Sequence, residues 1–258
     1  MILVTNDDGI FAPGLWSLAG ALTALGKVVI VAPDRERSAI GTALTLRRPL
    51  RIRRAHSQLP DIEAYATDGT PGDCVIIATS NLFENQITLV VSGINECLNL
   101  GDDVLISGTV GAALQGYLRD LPAIAISAMT TGEISRGTAA RYGALIAEHI
   151  IRGKLPRPMF LNINLPDGPP SGIKGVAITH PAHKSHLDYA KESSDGRQKY
   201  YWLTRRSLGA DPPDGTDIWA INHRLVSITP LHSTFFGFPS TGLGESFCDN
   251  LLTQIKSN

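Results

Sequence analysis

The chain has few cysteines and no long apolar run, and these two shortages disfavour several classes of protein. Its three cysteines, Cys74, Cys97 and Cys248, are far apart in 258 residues, and no CxxC pair occurs. A disulfide framework and a thiolate zinc site are therefore both disfavoured, and a reducing cytosol fits best. No segment approaches the roughly 20 apolar residues of a membrane span. The first apolar run ends at Asn6, too early for a signal peptide, so we expect a soluble cytoplasmic protein.

An excess of charge and several catalytic motifs are also missing. With 23 basic and 24 acidic residues the net charge is −1, so no overall field attracts duplex nucleic acid or a membrane. The sequence contains no GxxxxGK[ST] loop, no GxGxxG after its first strand and no GxSxG elbow. These absences disfavour a P-loop NTPase and remove the usual signal of a serine hydrolase.

Apolar runs of strand and helix length alternate along the first 165 residues. Residues 2–4 and 28–32 are predicted to be buried strands, and the helix between them begins at Pro13 and stops at Gly26. Such a strand-helix-strand unit of about 30 residues is the building block of a parallel sheet. The alternation predicts an α/β fold, a Rossmann-like three-layer αβα sandwich with a mostly parallel sheet. Further strands are predicted at 43–46, 50–54, 64–67, 87–91, 123–126 and 160–163, and further helices at 70–80, from about 109, and at 139–151.

From about residue 166 the pattern changes, and prolines and glycines become frequent. The sequence predicts an exposed hairpin over 187–203, a short helix at 214–222 and a strand at 225–229. We expect one α/β domain over 1–258, with the core sheet and the site in about 1–165. The remainder, about 166–258, would form a protruding portion with the hairpin and an extended tail.

Two adjacent aspartates, Asp7 and Asp8, directly follow the first strand. Two carboxylates in one tight turn repel each other, and a divalent cation removes that repulsion because it prefers hard oxygen ligands. In open α/β sheets, ligands bind outside the carboxyl ends of the strands, where this turn lies. The pair therefore indicates a metal site, although taken alone a solvated Asp-Asp-Gly turn is the commoner interpretation.

Polar loops that follow other predicted strands support the metal site. The loop 33–41 contains Ser38, and the long polar loop that starts at residue 92 contains Asn95 and Asn99. Loops longer than about 12 residues without structure of their own are commonly functional. Because parallel strands end at the same edge of a sheet, these loops are expected to meet Asp7 and Asp8.

The end of that long loop, Ser107-Gly108-Thr109, leads into a predicted helix. Free backbone N–H groups and the helix dipole make such a position a ready anion site, suited to phosphate. Carboxylates beside a phosphate cradle predict metal-assisted hydrolysis of a phosphate ester.

Other polar groups are assigned structural roles. His180, His183 and His186 are spaced by three, but Pro181 breaks a helix, so isolated surface histidines are favoured over a zinc site. Asp217 is expected to cap or brace the C-terminal helix, without a catalytic role. A solvated strand face is the favoured interpretation of a cluster of five arginines, Arg47, Arg48, Arg51, Arg53 and Arg54.

Several stretches in register carry a resemblance to a known family. They are ILVTNDDG at 2–9, APG at 12–14, VAPD at 31–34 followed by Ser38, GTPGDCV at 69–75, VVSGIN at 90–95, NLGDDV at 99–104, SGTVGAA at 107–113, TD at 216–217 and VSITPL at 226–231. With these motifs the chain resembles the SurE family of survival proteins, which are metal-dependent nucleoside-monophosphate phosphatases.

The resemblance implies a site and an activity. One Mg2+ or Mn2+ per subunit would bind to Asp7, Asp8, Ser38 and Asn95, and either aspartate is a candidate to accept the proton of the attacking water. The expected activity is that of a 5′-nucleotidase that hydrolyses nucleoside 5′- and 3′-monophosphates, with short polyphosphate as a further candidate substrate. The phosphate and substrate contacts are assigned to Asn95, Asn99, Ser107, Gly108 and Thr109.

The resemblance also implies a homodimer or homotetramer formed through extended C-terminal segments, and the hairpin is a candidate for that contact. Two alternatives to the phosphatase stay open at this point. An aspartyl-phosphate phosphatase would need two aspartates separated by one residue and a downstream lysine, whereas Asp7 and Asp8 are adjacent. A nucleotide sensor without catalytic activity could use the same phosphate cradle.

Overall fold

A nine-stranded sheet between two layers of helices forms the body of the protein, and a separate two-stranded hairpin adjoins it. The structure, a computed structural model, describes residues 1–129, 132–155, 159–183, 186–207 and 211–232. The strands are β1 (Ile2–Thr5), β2 (Val28–Pro33), β3 (Ile52–Arg54), β4 (Glu63–Thr67), β5 (Leu89–Asn95), β6 (Ala123–Ala128), β7 (Phe160–Leu165), β8 (Gly175–Ile178), β9 (His186–Ser194), β10 (Lys199–Ser207) and β11 (Leu225–Pro230). The helices are α1 (Pro13–Leu22), α2 (Pro71–Ile77), α3 (Gly108–Tyr117), α4 (Glu133–Ile151) and α5 (Asp217–Asn222).

The large sheet is mostly parallel, as predicted, with the order β3-β4-β2-β1-β5-β6-β7-β11-β8. The strands from β4 to β7 in this order all run parallel. Antiparallel pairing occurs towards the two ends, between β3 and β4 and between β11 and β7. The carboxyl ends of β1, β2 and β5 therefore meet at one edge near the centre of the sheet.

Two apolar cores lie on opposite faces of this sheet. Ile2 and Val4 of β1 belong to the core under α1 and α4, whereas Leu3 belongs to the core under α2 and α3. Successive side chains of a strand point to opposite faces, and all three are almost completely buried. This alternation explains why the central strands are continuous apolar runs, and it confirms the predicted three layers.

The C-terminal portion both completes the large sheet and protrudes from it. Strands β9 and β10 form the predicted antiparallel hairpin, paired from His186 with Ser207 to Ser194 with Lys199. Strands β8 and β11 join the large sheet. Strand β8 was not predicted because four residues that begin with a glycine carry little strand signal. The predicted extended tail and Cys248 lie outside the described residues.

Some predicted boundaries are wrong for identifiable reasons. Residues 43–46 are a loop and not a strand, because polar groups at the start of α2 bind their backbone. The Ala43 carbonyl accepts the Thr70 hydroxyl proton at 2.8 Å, and the Thr45 N–H donates to Asp73 at 3.1 Å. Strand β5 extends to Asn95, so this residue ends a strand instead of lying within a loop. Among the described helices, none is long and apolar enough to cross a membrane.

Candidate active site

A cavity of about 470 Å³ opens at the carboxyl edge of the sheet. The structure brings six of the predicted site residues to its wall: Asp7, Asp8, Ser38, Asn95, Asn99 and Ser107. Four charged residues to which the sequence had assigned no role also line it: Glu36, Glu96, Asp103 and Arg205. Of the eight predicted residues, only Gly108 and Thr109 lie behind this wall, where they pack against Asp7.

The turn after β1 is held by its own side chains. The fully buried amide of Asn6 donates to the Gly9 carbonyl at 3.0 Å and accepts the Gly9 N–H at 3.2 Å. Gly9 has φ +96°, and a Cβ there would lie 2.9 Å from a backbone carbon of Arg35. Only glycine fits this position, and the resulting tight turn presents Asp7 and Asp8 to the edge of the sheet.

Asp7 joins this turn to the start of α3. Its side chain is buried and accepts the hydroxyl proton of Thr109, which is also fully buried. A Cβ on Gly108 would lie 2.8 Å from the Asp7 Cβ, so the helix start can approach this closely only with glycine. Burial raises the pKa of Asp7, and the bonds from Thr109 and from nearby backbone N–H groups partly oppose this rise.

Asp8 carries an unsatisfied charge. Burial, the charge of Asp7 and the nearby carboxylates of Glu96 and Glu36 raise the pKa of Asp8 to about 7. Its Oδ2 is buried and has no hydrogen-bond partner in the part of the chain that the structure describes. A buried carboxylate oxygen without a partner is costly, and a bound cation would satisfy it.

Ser38 and Asn95 add two oxygen donors to the cavity wall that Asp7 and Asp8 also line. The Ser38 hydroxyl donates to Glu36 at 2.6 Å, which leaves its oxygen lone pairs for a ligand. The Asn95 amide nitrogen donates to the Cys97 carbonyl at 2.6 Å, which leaves the amide oxygen. Two carboxylates, a hydroxyl and an amide oxygen suit a hard cation such as Mg2+ or Mn2+. Within the described ranges, no group of three or more His, Cys, Asp or Glu side chains is arranged so that it could hold a metal ion, so a metal site here would need such mixed ligands.

Asn99 anchors the long loop to the sheet. Its side-chain amide donates to Ser127 at 2.8 Å, and its backbone N–H donates to Asn164 at 2.8 Å. Its carbonyl accepts bonds from the amides of Asn162 and Asn164 at 2.8 and 3.1 Å. The sequence interpretation missed this network, although two asparagines in the otherwise apolar strand β7 were an available signal. Asn99 is thus placed at the cavity wall by bonds to neighbouring strands.

Ser107 is the N-cap of α3. Its hydroxyl accepts the Val110 N–H at 3.1 Å, and the residue borders the cavity. The ten-residue helix therefore directs its N-terminus at the aspartates, with the positive end of its dipole towards the cavity.

Asp217 braces this region, whereas the capping role expected for it in the C-terminal helix belongs to Thr216. Its fully buried carboxylate accepts the Gly101 N–H at 2.7 Å and the Ala182 N–H at 2.9 Å. Gly101 begins a short 3-10 turn, Gly101–Leu105, that precedes Ser107. The sequence could not show that the residue braced by Asp217 belongs to the loop that lines the cavity.

The histidines and arginines do not form a metal or anion centre among the residues described. His183 lies 3.9 Å from Asp102, and His186 lies 3.7 Å from Asp103, so these two histidines face acidic side chains separately. In the arginine cluster, Arg48 pairs with Asp68 at 3.0 Å, and β3 is exposed throughout.

Known proteins share the sequence pattern and the fold of this chain. The family model described as Survival protein SurE matches residues 2–188. The chain belongs to the SurE family. A "5'-nucleotidase SurE" of Dehalococcoides mccartyi strain CBDB1 is 49% identical over 258 residues, which cover 99% of this chain and 97% of that relative. Another of the same name, from Pelobacter propionicus, is 44% identical over 93% of this chain and 96% of its own length.

A solved SurE structure has the same fold. The crystal structure of the SurE protein from Aquifex aeolicus superposes with a TM-score of 0.79 at 35% identity. The superposition covers 93% of this chain and 96% of the Aquifex chain. The sequence-based resemblance to the SurE family is thus confirmed.

Proposed function

We propose that this SurE family member is a divalent-metal-dependent phosphatase that hydrolyses nucleoside 5′- and 3′-monophosphates to nucleoside and phosphate. The observation that carries the proposal is the Asp7-Asp8 pair, in which a buried Asp8 oxygen has no partner and Asp7 packs on the N-terminus of α3. The name 5'-nucleotidase of its relatives supports the same activity.

One divalent cation would be held by Asp7, Asp8, Ser38 and Asn95, whose oxygens face the cavity from the ends of β1, β2 and β5. When bound, Mg2+ or Mn2+ would supply positive charge at the phosphoryl oxygens and acidify a water molecule. A carboxylate oxygen of the aspartate pair accepts a proton from the attacking water. Thr109 already occupies one oxygen of Asp7, which favours Asp8 for this role.

The start of α3 binds the phosphoryl group. Ser107 lies at the cavity wall, and the helix N-terminus favours an anion there. Asn95 and Asn99 border the same cavity and contribute amide groups for the substrate. Gly108 at the start of α3 packs against Asp7. A phosphoryl group at the helix start and a cation at Asp7 would therefore lie next to each other, which is what hydrolysis needs.

The test is a substrate panel with protein that has been stripped of metal by EDTA. Release of inorganic phosphate is measured from AMP, 3′-AMP, tripolyphosphate and p-nitrophenyl phosphate, with and without Mg2+ or Mn2+. We expect metal-dependent release from AMP, its loss in Asp8→Ala, and full retention in Asp61→Asn, whose carboxylate is exposed. Nucleotide binding without metal-dependent turnover would support a sensor instead. A phosphorylated Asp7 trapped during turnover would support the aspartyl-phosphate mechanism.

We further propose that the hairpin mediates a homodimer or homotetramer. It exposes large apolar side chains on both faces, among them Leu187 (61% exposed), Trp202 (65%) and Leu203 (82%). Apolar patches of this kind usually mark an interface. Sedimentation velocity of wild-type protein and of Trp202→Ser with Leu203→Ser should show a larger species that the double variant loses. A wild-type monomer would contradict this proposal.

A further inference from the structure

Arg205 of β10 reaches the wall of the cavity from the hairpin. Its Nη1 lies 2.6 Å from Asp103 Oδ1 and donates to Asp103 Oδ2 at 2.8 Å, while its Nε donates to Asp188 at 3.0 Å. One guanidinium thus spans two carboxylates, one on the hairpin and one on the Gly101–Leu105 turn. Of the side chains that line the cavity in the described part of the chain, Arg205 is the one cation.

Asp103 is directly connected to the start of α3. Its carbonyl accepts the N–H groups of Ile106 at 3.1 Å and Ser107 at 3.0 Å. A restraint on the Asp103 side chain therefore restrains the backbone that enters the helix N-terminus. The beginning of the same turn is held by Asp217 through the Gly101 N–H. Two side chains of the C-terminal portion consequently fix the turn at separate points.

Arg205 restrains the neighbouring turn and adds little to the stability of the whole fold. Its side chain is 44% exposed, and ion pairs in such positions contribute little to the free energy of unfolding. A planar guanidinium can bond two carboxylates at once, which a lysine ammonium on a flexible stem does less well. The next residue, Arg206, points to the opposite face of the hairpin because strand side chains alternate.

We propose that Arg205 is a positioning residue, which holds the Gly101–Leu105 turn through Asp103 so that the start of α3 is ready to bind the phosphoryl group. This inference rests on the phosphatase function proposed above. The hairpin would then support the active site in addition to the subunit contact proposed for it.

The experiment compares Arg205→Gln with the matched control Arg206→Gln. The Michaelis constant and kcat are measured with AMP and with p-nitrophenyl phosphate at saturating Mn2+, and the dissociation constant of inorganic phosphate is measured by calorimetry. Arg205→Gln should raise KM for both substrates and the phosphate dissociation constant about tenfold, with kcat and Mn2+ affinity changed less than about threefold. Arg206→Gln should stay within about twofold of wild type in every measurement.

Further variants test the path through Asp103. Asp103→Asn should reproduce the effect, and the double variant Asp103→Asn with Arg205→Gln should be no worse than either single one, because both remove the same link. Arg205→Lys should recover part of the phosphate affinity.

Three results would overturn the inference. The first is an Arg205→Gln variant that binds phosphate like wild type. The second is a rise of KM confined to AMP, which would mean that Arg205 contacts the nucleoside instead. The third is a loss that follows a changed oligomeric state while Asp103→Asn is unaffected. If wild-type protein shows no metal-dependent turnover, the proposed phosphatase function fails, yet the phosphate titrations of Arg205→Gln and Arg206→Gln still test the role of Arg205.

Discussion

Replacing Asp8 by asparagine should stabilise the metal-free protein while removing its response to metal. Burial and neighbouring carboxylates raise the pKa of Asp8 from 3.8 to about 7. This difference corresponds to about 4 kcal/mol at 1.36 kcal/mol per pKa unit. The ionised carboxylate is thus less favourable in the folded than in the unfolded protein, and a neutral side chain of the same shape avoids that penalty.

The sign of the pH dependence follows from the raised pKa. Below pH 3.8 the carboxyl group is neutral in both states and has no such effect. As pH rises towards 7, the unfolded chain loses this proton first, so the free energy of unfolding falls until the folded group also ionises. The advantage of Asp8→Asn should therefore grow from about 2 kcal/mol at pH 5 to about 4 kcal/mol at pH 8.

Urea unfolding of EDTA-treated protein at several pH values measures this advantage, with Asp61→Asn as an exposed control. Addition of Mn2+ should then reduce the advantage of Asp8→Asn at pH 8 to about 1 kcal/mol. A cation at a hundredfold excess over its dissociation constant would stabilise the wild type by about 2.7 kcal/mol and leave Asp8→Asn almost unchanged. A pH-independent advantage, or equal stabilisation of both proteins by Mn2+, would refute the reasoning.

Three other substitutions test the surroundings of the aspartate pair. Gly108→Ala places a Cβ 2.8 Å from the Asp7 Cβ, so it should weaken Mn2+ binding about tenfold or more in a calorimetric titration. Thr109→Val removes the hydroxyl that lowers the pKa of Asp7, and the acidic limb of the pH–rate profile should move to higher pH. Asp217→Ala leaves two buried N–H groups without their acceptor, and the free energy of unfolding should fall by about 2 to 4 kcal/mol in urea denaturation.

Each of these predictions has an outcome that contradicts it. Unchanged Mn2+ affinity in Gly108→Ala would show that Asp7 does not need its present position. An acidic limb that stays in place in Thr109→Val would mean that Asp7 does not set it. Asp217→Asn keeps one acceptor oxygen and should lose less stability than Asp217→Ala; an equal loss would place the effect elsewhere.

Much of the fold follows from patterns that are short in sequence. The apolar runs of the central strands, the start of α1 at Pro13 and the hairpin turn all depend on neighbours within a few residues. The meeting of Asp7, Asp8 and Asn95 at one cavity was predictable for a similar reason, because parallel strands place their carboxyl ends at one edge. The local pattern wrongly predicted a strand at residues 43–46. Thr70 and Asp73 at the start of α2 form hydrogen bonds with backbone groups that strand pairing would need.

The sequence by itself therefore determined the layered α/β fold, the oxygen-rich turn at Asp7 and Asp8 and a helix start suited to phosphate. The tertiary structure alone decided which distant groups support them. Thr109 and Asp7 are 102 residues apart, as are Arg205 and Asp103, and Asp217 and Gly101 are 116 apart. Periodicity indicates which face of an element is buried, but such long-range pairs depend on strand order and register across the whole sheet.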